Sequence, residues 1–224
     1  MITIFILFFP LLASVILLFS KNESARKIAF GISVVELAAT AFAAFGFVPD
    51  ASVQLSVNYP WIASLGINFH AGMDGISLLM VLLTSFLVPI IILSSFSKNY
   101  PNAKAFYFLI LLMETGLQGV FVSQNTFLFY IFWELALIPI YFIAAIWGGE
   151  RRIQVTLKFF IYTILGSLFM LFAFIYLYLQ SGGSSMDYQS LYNIALDRQT
   201  QAYIFWALFL AFAIKMPIFP FHTW

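Results

Sequence analysis

The sequence contains no cysteine and few charged residues. Asp, Glu, Lys and Arg together make up 8% of its 224 residues, and two residues are His. Without Cys the chain forms neither structural disulfides nor iron–sulfur clusters held by thiolates. Soluble domains carry about 25% charged residues, so this composition excludes a domain whose surface faces water.

Motifs that bind nucleotides or nucleic acids are also absent. The sequence has no GxGxxG and no GxxxxGK[ST] pattern. Its net charge is +1 and it has no basic run, which excludes a nucleic-acid-binding role. His70 and His222 fall in different regions, which disfavours a haem held by both. We therefore expect no cofactor and no metal in this chain, and we expect any associated redox chemistry in partner subunits.

Apolar residues dominate instead. The chain is 63% hydrophobic with 28 Phe, and its mean hydropathy is +1.00. A helix that crosses the hydrocarbon core needs about 20 apolar residues. The sequence predicts one all-α polytopic membrane domain over 1–224 with about seven transmembrane helices. The predicted spans are 2–19, 27–47, 75–95, 104–123, 126–147, 153–179 and 202–222. The first lacks a basic start and a small-residue cleavage site, so it is interpreted as a helix rather than a signal peptide.

The distribution of basic residues predicts the orientation. Positive side chains concentrate in cytoplasmic loops. The loops after the first, third and fifth predicted spans hold Lys21, Arg26, Lys27, Lys98, Lys104, Arg151 and Arg152, and the alternate loops hold Arg198 alone. We therefore expect a multi-pass protein of the inner (cytoplasmic) membrane with its N-terminus outside.

Two longer loops lie on the predicted outer side, at 48–74 and 180–201. The first contains VQLSVNYPWI and LGINFH, whose alternation predicts a β-hairpin. The second contains SLYNIALDRQ, a weakly amphipathic stretch interpreted as lying on the membrane surface. The aromatic segment that ends at Trp224 has no polar tail, and we expect the chain to be the N-terminal part of a longer membrane protein.

Glu134 is the first candidate functional residue. It lies about eight residues into the apolar segment FLFYIFWELALIPIYFIAAIW, near mid-membrane. A charge at the bilayer centre costs about 2.5–3.5 kcal/mol on insertion scales, so such residues are usually functional. Pro139 cannot donate to the carbonyl of Leu135, and a free carbonyl beside a carboxyl group can hold water. The alternative is a structural Glu that is permanently paired or permanently neutral.

Lys215 is the second candidate, and it has the opposite charge. It lies about thirteen residues into the last predicted span and is followed by Pro217 and Pro220. The prolines are expected to leave the carbonyls of Ala213 and Met216 without partners. This is typical of a broken membrane helix whose unwound turn lines an ion path. The alternative is that Lys215 extends its ammonium group to the interface.

Further titratable residues are weaker candidates. Lys158 lies one turn inside its helix, where extension to the cytoplasmic side is an equal alternative. Glu114 lies mid-segment in LLMETGLQG and is interpreted as a proton relay or a structural residue. His222 can exchange protons near neutral pH, although a plain hydrogen-bonded His fits equally well. Glu36 is also mid-segment, but it has few polar neighbours and ranks lower.

Several segments together resemble a known family. MDGISLLM, FYIFWELALIPIYF, WGGERRIQ, LKFFIYTILGSLFML and FAIKMPIFPFHTW occur in this order across nearly the whole chain. They resemble the antiporter-like subunit M (chain 4) of proton-pumping NADH:quinone oxidoreductase, respiratory complex I. WELALIP and the K-x-P-x-x-P-x-H-x-W ending are shared with Mrp-type sodium/proton antiporter subunits and membrane-bound hydrogenase subunits, whereas WGGERR and LKFFIYT favour subunit M.

The resemblance implies a fold and a function. Family members have about fourteen helices in two inverted repeats, with a broken seventh helix. The essential Glu of their fifth helix matches Glu134, and the Lys of the broken helix matches Lys215. Their sixth-helix Lys matches Lys158 and their fourth-helix Glu matches Glu114. NADH, FMN, iron–sulfur clusters and quinone are implied in partner subunits, both membrane and peripheral.

The expected function is proton translocation driven by electron transfer in those partners. The alternatives are an independent sodium/proton antiporter subunit and a membrane scaffold that anchors soluble redox subunits.

Overall fold

The computed structural model of the protein describes residues 1–224, most of which lie in eight α-helices. The helices are α1 (Ile2–Leu18), α2 (Asn22–Phe45), α3 (Gly75–Ser94), α4 (Ala103–Val122), α5 (Thr126–Trp147), α6 (Arg152–Gln180), α7 (Tyr188–Tyr192) and α8 (Arg198–Lys215). Two strands, β1 (Gln54–Ile62) and β2 (Ile67–Met73), lie between α2 and α3. The architecture confirms the predicted all-α membrane fold.

Five helices are long and apolar enough to cross a membrane: α2, α3 with the turn after it, α4, α5 and α6. Helices α1 and α8 have 17 and 18 residues and do not reach that measure. The count of seven spans therefore stays a prediction. Helix α2 begins at Asn22, five residues before the predicted span, because the charged first turn is helical although it is not apolar.

Strands β1 and β2 form the hairpin that alternation predicted. They pair antiparallel, with Asn58 opposite His70, and the register is irregular on either side of this central part. The stretch 190–199, interpreted as lying on the membrane surface, is divided between two helices, and its place at that surface stays a prediction. Its first residues end α7, and Asp197 then caps a new helix by accepting hydrogen bonds from the N–H groups of Gln199 and Thr200. An N-cap residue is itself extended, so the stretch is divided there.

Helix α4 lies at the centre of the bundle and packs against α1, α2, α3 and α5. Glycines allow the closest approach to α5. A Cβ atom on Gly116 would lie 2.8 Å from the backbone of Ala136, and one on Gly119 would lie 2.1 Å from the ring of Phe132. Small residues at such contacts are typical of helix packing within membranes. Helices α6 and α8 pack mainly on each other and expose large apolar side chains.

The loops separate into two groups at opposite ends of the bundle. At one end the hairpin meets the segments before α5 and α7. The N–H of Gln124 donates to the carbonyl of His70 at 2.9 Å, and the N–H of Thr126 donates to that of Met186 at 2.9 Å. At the other end Arg26 donates to the carbonyl of Phe96 at 3.2 Å. This separation agrees with the alternation of basic loops.

Helix α8 ends at Lys215, seven residues before the predicted end of the span. The carbonyl of Ala213, predicted to be free, accepts from the N–H of Ile218 at 2.9 Å. That prediction was wrong because the chain turns after Pro217 and brings a later N–H back to the same oxygen. The indole N–H of Trp224 donates to the carbonyl of Ile214 at 2.9 Å. The helix is therefore interrupted after Lys215. Hydrogen bonds from Ile218 and Trp224 hold the following segment against the last turn of α8.

Candidate functional site

Glu134 and Lys215 lie on neighbouring helices without forming an ion pair. Glu134 is the ninth residue of α5, which begins where the Asn125 side chain accepts from the N–H groups of Phe127 and Leu128. Lys215 is the last residue of α8. Oε1 of Glu134 and Nζ of Lys215 are buried and have no hydrogen-bond partner. The His70–Asp187 contact is the one ion pair within 4.0 Å in the structure, so the predicted coupling of Glu134 and Lys215 is not a direct bond.

Trp133, the residue before Glu134, contacts Lys215. Its ring lies 5.1 Å from Nζ of Lys215, and it meets Phe212 of α8 edge-on with the ring centroids 5.4 Å apart. A cation over an aromatic face gains about 0.5–2 kcal/mol, more where water is excluded. The ammonium group is thus placed against α5, beside the residue that precedes Glu134, and it has no hydrogen bond to the carboxyl group.

Lys158 and His222 both lie near the segment that follows the break. Lys158 is exposed on α6, and its Nζ donates to the carbonyl of Thr223 at 2.6 Å. The same Nζ lies 5.7 Å from the ring of Tyr162. The exposed ring of His222 stacks on Phe219, with the centroids 5.5 Å apart. The structure therefore places both residues beside the broken helix, with Lys158 bonded across to it.

Glu114 belongs to a separate, fully enclosed group. Its side chain is 0% exposed, and both of its carboxyl oxygens lack a hydrogen-bond partner. Glu36 of α2 is also 0% exposed, and its Oε1 accepts from Nε2 of Gln118 at 3.2 Å. The same Nε2 lies 3.4 Å from Oγ of Ser85 on α3. Two carboxyl groups are thus enclosed together between α2, α3 and α4.

Glu36 ranks low by sequence alone and Gln118 is not a candidate there, whereas the structure joins them by a hydrogen bond. The spacing of Glu114 and Gln118, four residues apart, places them on one face of α4 and was a usable signal. Nothing in the sequence showed that this face meets Glu36 on α2. No three His, Asp or Glu side chains are grouped so that they could hold a metal ion. The chemistry available here is the binding, transfer and electrostatic control of protons.

Comparison with known proteins supplies the family. The family model described as "NADH:quinone oxidoreductase/Mrp antiporter, TM" matches residues 123–224. NADH-quinone oxidoreductase subunit M of Rickettsia prowazekii is 39% identical over 97% of this chain and 46% of its own length. The chloroplastic NAD(P)H-quinone oxidoreductase chain 4 of Mesostigma viride is 36% identical over 98% of this chain and 44% of its own length. The resemblance noted in the sequence is confirmed.

Solved structures agree in fold. A chain of respiratory complex I from Thermus thermophilus with bound NADH superposes with a TM-score of 0.90 at 28% identity, covering 100% of this chain and 46% of that one. A chain of the Mrp complex from Dietzia sp. DQ12-45-1b superposes with a TM-score of 0.87 at 15% identity, covering 99% of this chain and 24% of that one, and shows the fold alone. The present chain spans about half the length of the curated relatives it matches.

Proposed function

Because the chain belongs to the family of antiporter-like membrane subunits that NADH:quinone oxidoreductases share with Mrp antiporters, we propose that it is a proton-translocating subunit of an NADH:quinone oxidoreductase. The observation that carries the proposal is the placement of Glu134 and Lys215. Oε1 of Glu134 and Nζ of Lys215 are buried atoms without hydrogen-bond partners, and Lys215 lies against the ring of Trp133, the residue next to Glu134. Static structural charges would be expected to pair directly, since an unpaired buried charge is costly.

In the proposed mechanism, the distance between the carboxyl group of Glu134 and the ammonium group of Lys215 controls their protonation. A carboxylate near an ammonium group stabilises the charged form of both, and burial disfavours both charges. When the gap widens, Lys215 passes its proton onward. When it narrows, the ammonium form is restored by a proton from the cytoplasmic side. The two groups titrate as one coupled system.

The broken segment after α8 and the enclosed group on α4 provide the neighbouring steps. Lys158 and His222 lie beside the break, and Lys158 is near the cytoplasmic start of α6, so they supply the proton that restores the ammonium form of Lys215. Glu114 relays protons to Glu134 from the adjacent helix α4. The distribution of loop charges supports an orientation with the N-terminus outside the inner membrane, in which Lys98 and Arg152 face the side from which protons are taken.

Energy for this movement comes from partner subunits. Electron transfer from NADH through FMN and iron–sulfur clusters to quinone takes place there, and this chain contacts the other membrane and peripheral subunits and the lipid. Moving one proton against 100 mV costs about 2.3 kcal/mol. The interaction of two unit charges at an effective dielectric of about 20 changes by a comparable amount when they separate.

The decisive test uses inverted membrane vesicles that respire on NADH and carry the full-length protein. Glu134→Gln removes the charge and keeps the shape, so we expect proton uptake to be abolished while the complex still assembles. Glu150→Gln, in an exposed loop, is the matched control and should leave uptake unchanged. Normal uptake with Glu134→Gln in an assembled complex would instead support the scaffold function.

A second function, sodium/proton exchange in an Mrp-type antiporter, is supported by the matching family model, whose description names the Mrp antiporter beside NADH:quinone oxidoreductase. The same residues would carry it. Vesicles energised without NADH distinguish the two functions. Proton movement that depends on sodium, with no quinone reductase attached, would support the antiporter.

A further inference from the structure

The enclosed group on α2, α3 and α4 has more polar atoms than its own hydrogen bonds use. Four of these atoms are buried without a partner: Oε2 of Glu36, both carboxyl oxygens of Glu114 and Oε1 of Gln118. All three side chains are 0% exposed. Buried polar groups in native proteins are nearly always hydrogen-bonded, to protein or to ordered water. One of the four unpartnered atoms is the amide oxygen of Gln118. Protonation of the two carboxyl groups alone therefore does not remove the excess of hydrogen-bond acceptors.

The basic side chains of the enclosing helices lie near the helix starts, away from this group. Helices α1 and α3 carry no titratable side chain. The remaining titratable side chains of the helices packed around it are Glu23, Arg26 and Lys27 of α2, Lys104 and Tyr107 of α4, and Tyr130, Glu134 and Tyr141 of α5. The basic ones belong to the first two turns of α2 and the first turn of α4, whereas Glu36 and Glu114 lie in the interiors of these helices.

Two enclosed carboxyl groups without a cation cannot both be ionised. Gln118, one turn after Glu114 on the same face of α4, donates to Glu36, so the two carboxyl groups share one enclosed site, and one member of such a pair normally keeps its proton. A protonated carboxyl group becomes a hydrogen-bond donor. Even so, Glu114 finds no protein atom within reach, and Gln118 already gives its amide N–H to Glu36. The unpartnered atoms require a small donor between them, and a buried water typically makes about three hydrogen bonds.

We propose that Glu36, Glu114 and Gln118 together form a proton-storage site, in which the two carboxyl groups share one excess proton through a bound water molecule. The water donates to the ionised carboxylate and to Oε1 of Gln118, and it accepts from the protonated carboxyl group. With one proton the site carries one negative charge, and a second proton makes it neutral. Ser85 and Gln118 position Glu36, and Glu36 is a proton-holding residue in its own right.

Its use in transport rests on the proposed function. Helix α4 packs directly on α5 at Gly116 and Gly119, so the site lies one helix away from Glu134. A second proton taken up from the cytoplasmic side would neutralise the pair. Its transfer to Glu134 would return the pair to a single negative charge and leave Lys215 without a charged partner.

Infrared difference spectroscopy on the assembled complex tests the site without requiring it to pump. We expect a water O–H band that shifts in ¹⁸O water, together with a carboxylic acid C=O band. The water band should be lost in Glu36→Gln and in Glu114→Gln. It should also be lost in Gln118→Leu, a variant that keeps both carboxyl groups. Glu150→Gln should retain both bands. Persistence of the water band in any one of the three variants overturns the proposal.

A second measurement separates this site from the proposed function. Proton uptake by NADH-driven vesicles is measured for Glu36→Gln and compared with Glu134→Gln, with assembly checked in both. A several-fold loss for Glu36→Gln supports storage on the pumping path. If the water band is lost and uptake is normal, the site exists and its use in transport is refuted. If Glu134→Gln also pumps normally, the proposed function fails and the spectroscopic result still decides the site.

Discussion

The molecule contains two groups of buried ionisable residues, and they differ in charge and in enclosure. Glu134 and Lys215 carry opposite charges, are half-buried and lie where α8 ends in a break. Glu36 and Glu114 carry the same charge, are wholly buried and lie within unbroken helices. No hydrogen bond joins the members of the first group, and Lys215 lies against the ring of Trp133.

The second group is enclosed between α2, α3 and α4. In the proposed mechanism the first group responds to a change in the distance between its charges. The second group changes only in the number of protons that it holds, because its surroundings are closely packed.

Of the variants that test this difference between the two groups, Lys215→Met is expected to have the largest effect on proton uptake. It removes the cation and leaves Glu134 as an isolated buried carboxyl group, which costs free energy unless it is neutral. We expect proton uptake by NADH-driven vesicles to fall more than about tenfold, which corresponds to about 1.4 kcal/mol in an equilibrium constant. Lys98→Met, at an exposed loop, is the control. Full uptake in the Lys215 variant would show that the break carries no proton.

An intermediate effect is expected at the contact between the two groups. Gly119→Ala places a Cβ atom 2.1 Å from the ring of Phe132, so α4 and α5 must separate. Overpacking of this kind costs about 1–3 kcal/mol. We expect a lower thermal unfolding midpoint for the solubilised protein. Gly31→Ala on α2 is the matched control, because no atom lies within 4 Å of the added Cβ. Equal midpoints for the two variants would show that α4 and α5 are not tightly packed.

The smallest effect is expected from Asp197→Ala at the start of α8. Asp197 is exposed, and hydrogen bonds from the side chain and backbone of Thr200 lower the pKa of its carboxyl group. A lowered pKa in the folded state stabilises the cap above the unfolded pKa, and this contribution is lost as the pH falls through the folded value. Amide exchange in the first turn of α8 should rise modestly at neutral pH.

The pH dependence of amide exchange provides the control for Asp197→Ala. In the wild type the protection of the first turn of α8 should weaken in acid, whereas in Asp197→Ala it should already be weak and nearly independent of pH. The interior of α4, which carries Glu114, should exchange equally slowly in both proteins. Identical profiles for the two proteins would exclude a role for the Asp197 cap in positioning α8.

Much of the fold was predictable because its signals are local. Apolar runs indicated the helices, alternation indicated the hairpin, and the prolines after Lys215 indicated the break. The prediction that failed was also local in origin. The end of α8 and the bond to the carbonyl of Ala213 depend on the turn that brings back the N–H of Ile218, and apolarity does not report that turn.

The sequence by itself determined that the chain is a membrane protein, because its apolar runs are long enough to cross a bilayer. It also singled out Glu134 and Lys215, because a charged side chain in hydrocarbon is costly wherever it lies in the bundle. Only the tertiary structure decided which polar groups meet. The contact of Glu36 with Gln118 and the position of Trp133 beside Lys215 depend on how each helix is rotated and which helices are adjacent. In lipid, apolar surface alone does not set that rotation, and close packing at small residues such as Gly116 and Gly119 does.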